Sequence, residues 1–285
     1  MPKPMRIMTE KPRNAETPIE ALRSWITAND VFFDRNQGAI PEESIPLDRW
    51  FLEVAGEVQA PLRLDFETLR RMPRAEVANT LECSGNGRSL LAVKAQGNPW
   101  TIGGVGNAVW GGVWLRDVLN RAGINPQGRH VAFEGFDEPL GSARISFVRS
   151  IPLDKAMGST ILAYEMNGAP LPLKHGFPLR ALALGWTGAN CVKWLRRITV
   201  LAQPFAGFFM DKVYRVFQKG QDPAAGDIVT RIPLKSIITQ PLSGEVLPAG
   251  MVTVLGAAYA GEGEIGGVEV STDGGAADEF LAINK

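Results

Sequence analysis

Two cysteines and two histidines in 285 residues leave little from which to build a metal site out of side chains alone. Two thiols allow at most one disulfide and cannot supply a thiolate-rich zinc site or a cysteine-ligated iron–sulfur cluster. No Cys-x-x-Cys-His occurs, which excludes covalently attached haem. Thirty basic residues balance thirty acidic ones, so no global field draws the protein to nucleic acid or to an anionic membrane, and any useful charge must be local. The N-terminus, Met-Pro-Lys-Pro-Met-Arg-Ile-Met-Thr-Glu-Lys-Pro, lacks both an apolar stretch and a twin-arginine signal. As written, the chain reads as cytoplasmic, and as periplasmic if an export signal precedes it.

What is present is ordinary for a soluble globular protein: 45% hydrophobic and 21% charged residues, in a chain long enough for two domains. There is no internal repeat and no low-complexity segment. One stretch stands apart, Leu81-Glu82-Cys83-Ser84-Gly85-Asn86-Gly87-Arg88-Ser89. The run before it, Val77 to Leu81, has strand character, whereas Ser-Gly-Asn-Gly favours a tight turn with positive backbone angles. This places the Cys83 sulfur at the mouth of a turn, with Arg88 as a fixed positive charge nearby. A thiolate there is a soft metal ligand, and neighbouring positive charge lowers a thiol pKa. The competing reading is a small buried hydrophobe.

Along the rest of the chain, residues 1–16 are expected to lie extended over the surface. Thr17-Pro18-Ile19-Glu20 opens a helix to about Asn29. The run Val31 to Pro41 breaks into a polar loop in which Arg35 is either a solvated charge or an anion clamp. Trp50 to Val58 reads as a strand, and Asp65 to Met72 as a short helix capped by Asp65. Trp100 to Gly112, rich in Gly and Trp, is a segment whose backbone can approach a ligand. Val113 to Ala122 is a helix with Val113, Leu115, Val118 and Leu119 on one face and Gly123 as its stop. His130 to Gly135 and Ile161 to Met166 are strands, with a hairpin turn at Asn167-Gly168. His175 sits in a Gly- and Pro-bounded loop ahead of Arg180 and could bind an anion or a cofactor. Cys191 to Val200 alternates apolar and basic residues, a strand whose charged face meets water or a phosphate. Residues 204–226 read as a linker carrying Tyr214. Beyond it, Ile228 to Thr239, Met251 to Tyr259 and Ile265 to Ser271 are β-like, which puts the domain boundary near Gly226, dividing the chain into 1–226 and 227–285.

Taken together, these motifs resemble the sulfite oxidase family of molybdenum enzymes, over essentially the whole chain to about Gly275. Phe33-Asp34-Arg35-Asn36 looks like the family's N-terminal arginine loop, Leu81 to Arg88 like its metal-ligand turn, and Gly111 to Leu119 like the helix that follows. His175 to Arg180 and Val192 to Arg197 resemble its pterin-binding segments. The fold implied is α+β: a molybdopterin-binding catalytic domain with mixed sheets, followed by a partial immunoglobulin-like dimerisation domain. The cofactor implied is molybdenum–molybdopterin, in which a pyranopterin dithiolene and one protein cysteine hold the metal. The resemblance makes Cys83 that ligand, places Arg35, Arg88, Trp100 and Tyr214 in the substrate pocket, and assigns Asn36, His175, Arg180 and Lys193 to the cofactor. The activity implied is sulfite oxidation, with an external c-type cytochrome as electron acceptor and a possible homodimer as the assembly.

Two positions depart from the family pattern. Gln37 stands where many members have a histidine. Only about 60 residues follow Gly226, against about 100 for a full sandwich, and a further substrate arginine usually comes from the part not present. The chain thus reads as shortened, with poor order expected after about Gly275. The alternatives are a sulfane dehydrogenase subunit, a nitrate reductase-type molybdenum domain, or a non-catalytic oxyanion-binding module without metal.

Overall fold

The computed structural model describes residues 4–41, 45–92, 96–139, 144–217, 220–222 and 225–273, and the backbone of 279–281. The chain opens with a hairpin of β1 (Arg6–Glu10) and β2 (Arg13–Glu16). It is not a surface wrapping: Asn14, Ala15 and Glu16 are buried, and Ala15 pairs with Asp34 across the start of the arginine loop. The helix expected over 17–29 shrinks to one 3-10 turn, Ile19–Arg23. The expected cap is diverted, since the Thr17 hydroxyl donates to the Val105 carbonyl at 3.0 Å instead of closing a helix end.

Two five-stranded sheets follow. The strands β3 (Phe51–Gly56) and β4 (Leu62–Asp65) lead into helix α1 (Phe66–Arg70), where the Asp65 carboxylate accepts from Thr68 N at 2.7 Å as a helix cap. β5 (Arg74–Glu82) and β6 (Val105–Trp114) pair antiparallel from Arg74↔Val113 to Glu82↔Val105. The Gly- and Trp-rich segment is therefore mostly strand. Gly112 serves the sheet: a Cβ there would meet the Leu162 carbonyl oxygen at 2.1 Å, where the ladder to the next strand carries a bulge. Because β6 runs to Trp114, helix α2 starts only at Leu115; it spans Leu115–Ala122 and stops at Gly123, where φ is 66°.

β7 (His130–Gly135), β8 (Val148–Pro152), helix α3 (Leu153–Ser159) and β9 (Thr160–Met166) come next. Asn167 and Gly168, at φ 54° and 73°, turn β9 back into β10 (Ala169–Pro170). β11 (Arg180–Ala183) and β12 (Leu195–Leu201) complete the sheets. One sheet has the order β10-β9-β6-β5, with β11 also on β9; the other has β4-β3-β12-β7-β8, mixed because β12 runs parallel to β3. The apolar face of α2, with Leu115, Val118 and Leu119, is buried with Trp50, Leu52, Val54, Val131, Phe133, Ile198 and Val200 in the main core. The basic face of β12 meets carboxylates: Arg197 pairs with Glu53 at 2.7 Å and Arg196 with Glu134 at 2.5 Å. Residues 191–194 precede this strand and stay irregular, with Trp194 at φ 49°.

The segment expected as a linker contains helix α4 (Phe208–Asp211) and β13 (Arg215–Val216), which pairs with β14 (Asp227–Ile228). Beyond it lie β15 (Lys235–Gln240), β16 (Leu255–Tyr259), β17 (Val268–Val270) and β18 (Glu279–Leu281), paired as two-stranded ladders among the described residues. Ile232 and Tyr259 pack against Leu22 and Val105, so these strands dock on the first part of the chain. Leu234, Ile238, Val246 and Met251 stay exposed. Residues 274–278 and 282–285, on which the expectation of poor order falls, lie outside the described ones. No described helix is long and apolar enough to cross a membrane.

Candidate active site

The ends of both sheets converge on an open cleft of about 670 Å³, part of which is continuous with solvent. It is lined by the arginine loop (Phe33, Arg35, Asn36, Gln37), by the end of β5 and its turn (Leu81, Cys83, Ser84), and by Asp137 and Phe147 from the segment between β7 and β8. His175, Arg180, the Gly188–Ala189 turn, Cys191, Lys193, Trp194 and Tyr214 complete it. Seven of the nine residues picked from the sequence therefore share one cleft. Trp100 and Arg88 do not line it.

Cys83 ends up here because β5 stops at Glu82. The Cys83 carbonyl accepts from Asn86 N at 2.9 Å, closing the turn, and Cys83 N donates to the Gly104 carbonyl at 2.8 Å. The sulfur is buried and accepts from Gly85 N at 3.4 Å. Burial pushes the thiol pKa up, while Arg35, the Gly85 N–H and Arg88 pull it back down. Arg88 acts from behind the turn: its guanidinium donates to the Asn98 carbonyl at 3.1 Å, and a Cβ on Gly85 would come within 2.8 Å of it. Trp100 is buried in the apolar cluster that also holds Cys83, edge-on to Phe33 at 6.2 Å, and so backs the cleft rather than facing it. Cys191 turns its sulfur toward the Ala183 and Thr187 carbonyls, 3.9 Å from each.

Positive charge gathers opposite the thiol. Arg35 donates to Asn14 Oδ1 at 3.2 Å, to the Asn36 carbonyl, and to Tyr214 Oη at 3.4 Å. Asn36 is fixed by Asn14 Oδ1 at 2.9 Å and the Arg13 carbonyl at 2.5 Å, which leaves its side-chain oxygen to accept from Lys193. Burial drives the Lys193 ammonium well below its ordinary value, with Arg180 adding to the effect and Asp34 and Asp137 opposing it. Burial likewise lowers Arg180 to about 10. His175 is buried edge-on to Phe32, and its Nε2 lies 3.1 Å from the Asn29 carbonyl, which makes that nitrogen the donor. Burial, then Lys174 and Lys193, hold it well below its ordinary pKa and thus neutral.

This cleft fits a large anionic cofactor. The Nε of Arg180 is buried without a hydrogen-bond partner, and a buried guanidinium with a free donor implies an acceptor supplied by something bound. No group of three or more His, Cys, Asp or Glu side chains could hold a metal among the described residues. A metal on the lone Cys83 sulfur would need its remaining donors from a non-protein ligand.

The family profile described as "Oxidoreductase molybdopterin binding domain" matches residues 37–209. The chain belongs to the sulfite oxidase family of molybdopterin oxidoreductases. A second profile, "Mo-co oxidoreductase dimerisation domain", matches residues 227–285. Sulfite oxidase of Gallus gallus is 39% identical over 95% of this chain and 62% of its own length. Sulfite oxidase of Arabidopsis thaliana is 35% identical over 95% of this chain and 74% of its own. The crystal structure of the sulfane dehydrogenase SoxCD from Paracoccus pantotrophus superposes with a TM-score of 0.86 at 30% identity, covering 97% of this chain and 69% of that one. The chain thus spans less than two thirds of the chicken enzyme. The cofactor of this family is molybdenum–molybdopterin, and Cys83, Asn36, His175, Arg180 and Lys193 all line the cleft.

Two cleft residues, Ser84 and Asp137, and one buried behind the cleft, Arg149, were given no role from the sequence. Ser84 is held by Thr187, Oγ to Oγ1, at 2.8 Å. Asp137 follows the end of β7, and burial raises its carboxyl to about 6 against the opposing pull of Lys193. Arg149 is fully buried and stands 5.3 Å over the Tyr214 ring. A charged residue just past a strand end, as in Gly135-Phe136-Asp137, was the available signal for Asp137; nothing in the sequence pairs Arg149 with Tyr214.

Proposed function

We propose that the protein oxidises sulfite to sulfate in a molybdenum-dependent reaction and passes the electrons to an external acceptor of the c-type cytochrome class. The observation that carries this reading is one cleft that brings the buried Cys83 thiol together with the Arg35 guanidinium and the Tyr214 hydroxyl, the last two 3.4 Å apart. Molybdenum held at Cys83 would supply the oxygen-transfer and two-electron chemistry by which sulfite and water become sulfate and two protons.

The chain's own part is electrostatic and positional. Sulfite is a small oxyanion, and Arg35 offers it a permanently charged, forked donor. Tyr214 adds a hydrogen bond without adding charge. Arg180, Lys193 and neutral His175 lie on the cofactor side, where their cost of burial is offset by a bound anion. Arg88 stiffens the ligand turn and adds to the positive field at Cys83. Asp137, its carboxyl raised to about 6 by burial, is mostly ionised at pH 7 and takes up a proton in mildly acidic solution, where it no longer opposes anion entry.

Residues 227–285 then form a dimerisation domain whose exposed Leu234, Ile238, Val246 and Met251 are covered in a homodimer. That reading rests on the matched profile and on the exposed apolar side chains. The structural likeness to a sulfane dehydrogenase favours one second reading, oxidation of a sulfane sulfur by a subunit that works with a tightly bound haem partner. Steady-state assays with sulfite, thiosulfate and nitrate, using cytochrome c or a dye as electron partner, separate these. Turnover with sulfite alone supports the first reading; turnover only with thiosulfate or nitrate overturns it.

A further inference from the structure

The carboxylate of Glu82, the residue immediately before Cys83, is almost fully buried, yet one of its oxygens collects three donors. Oε1 accepts from Asn86 Nδ2 at 2.8 Å, from Lys235 Nζ at 2.6 Å and from Tyr259 Oη at 3.0 Å. Asn86 belongs to the Cys83 turn itself. Lys235 and Tyr259 come from the C-terminal part, where they face each other as register partners at the start of β15 and the end of β16. One cross-strand pair of the C-terminal ladder thus presents both its polar heads to a single oxygen at the root of the ligand turn.

The bonds continue around the sulfur. Asn86 Oδ1 accepts from Gly104 N at 2.9 Å, and the Gly104 carbonyl accepts from Cys83 N at 2.8 Å. Lys235 Nζ also reaches the Asn86 carbonyl at 3.3 Å. A buried carboxylate is tolerated only when paired and hydrogen-bonded, and here the charge that pairs with it is supplied from outside the first domain. If the C-terminal ladder leaves, Glu82 is stranded and must turn toward water, and the turn it anchors moves with it.

We infer that Glu82 is a positioning residue through which Lys235 and Tyr259 of the C-terminal ladder fix the Cys83 turn, so that docking of that ladder sets the direction of the ligand sulfur. The inference rests on the reading of Cys83 as the metal ligand only for its consequence; the mechanical link stands on the contacts above. It joins the oligomerisation half of the chain to the metal half through one carboxylate.

Amide hydrogen exchange of the purified full-length protein tests it, with Lys235→Met, Tyr259→Phe and Lys235→Arg compared with Glu262→Gln. Glu262 bridges Lys155 at 3.2 Å and Arg231 at 2.8 Å and so makes a separate contact away from the turn. Loss of a hydrogen bond to a buried charge should speed exchange of amides 83–88 by roughly tenfold or more in Lys235→Met. Tyr259→Phe should do so to a smaller degree, Lys235→Arg should restore protection in part, and Glu262→Gln should leave it unchanged. The visible absorption of the metal centre should shift in Lys235→Met, in step with the exchange. Unchanged exchange at 83–88 in both Lys235→Met and Tyr259→Phe would overturn the inference. So would an equal effect in Glu262→Gln, which would mean general loosening of the C-terminal part. Because exchange is read without turnover, this failure is distinguishable from failure of the sulfite reading, which is a matter of activity.

Discussion

Gln37 and Tyr214, 177 residues apart, meet at the mouth of the cleft, where the Gln37 side-chain amide donates to the Tyr214 hydroxyl at 2.5 Å. Arg35 reaches the same oxygen at 3.4 Å. Tyr214 is one of four described non-glycine residues with positive φ, at 58°, a conformation that costs energy and persists only where surroundings enforce it. Two donors on its hydroxyl, with Arg149 over its ring, provide that enforcement.

Removing the hydroxyl should therefore affect turnover more than folding. Tyr214→Phe is expected to lower kcat/KM for sulfite by roughly three- to tenfold, the worth of one hydrogen bond. Gln37→His would restore the titrating group common at this position in the family, and the rate should gain a pH-dependent limb near pH 6–7 that the parent lacks. Matching pH profiles for parent and Gln37→His would remove Gln37 from the account.

The arginines should separate. Arg35→Gln is expected to raise KM for sulfite by roughly one to two orders of magnitude through loss of a charge-assisted hydrogen bond. Arg88→Gln should raise it less, because the Arg88 guanidinium is spent on the Asn98 carbonyl. Sulfate should compete with sulfite in the parent and lose most of its effect in Arg35→Gln. An equal KM change in both variants would mean that Arg88 reaches the substrate after all.

The two cysteines give a cleaner contrast. Cys83→Ser should leave the fold intact and abolish turnover, since a hydroxyl replaces a soft ligand of similar size. Cys191→Ser should keep molybdenum and most activity, because that sulfur only approaches two carbonyls at 3.9 Å. Comparable losses in the two variants would contradict the assignment.

Asp137 makes a prediction about stability of the cofactor-free chain. Burial raises its carboxyl from 3.8 to about 6, so between these values the folded chain keeps a proton that the unfolded chain has released. Its contribution is fully present below about pH 4 and is lost as pH rises through about 6. Asp137→Asn should remove this slope from the pH dependence of the unfolding midpoint and, above pH 6, relieve up to about 3 kcal/mol. Parallel profiles for parent and variant would show that the carboxyl is not strained.

Local chemistry was legible where it acts locally. Ser-Gly-Asn-Gly after an apolar run marks the end of β5 and the Cys83 turn, Asp65 marks a cap, and Asn167-Gly168 marks a hairpin. The gathering of Arg35, Asn36, His175, Arg180, Lys193 and Tyr214 around that turn was legible only through the order of motifs that resemble one family. What failed is set by contacts distant in sequence. Thr17 gives its hydroxyl to Val105 rather than to a helix end, and Gly112 accommodates a neighbouring strand. Trp100 has the aromatic character of a pocket residue, yet it packs edge-on against Phe33, which lines the cleft while Trp100 does not. The partners of Glu82 lie 153 and 177 residues away, and no pattern along the chain announces them.

If this cleft holds molybdenum through Cys83, sulfite should be the reductant of that metal. The most direct measurement is metal analysis of the purified protein combined with anaerobic addition of sulfite, followed by absorption and electron paramagnetic resonance. The expected result is molybdenum in equimolar amount with the chain, reduction of that metal by stoichiometric sulfite, and loss of both in Cys83→Ser. Protein that takes up no molybdenum when expressed with the cofactor, or that holds molybdenum which sulfite leaves oxidised, would contradict it.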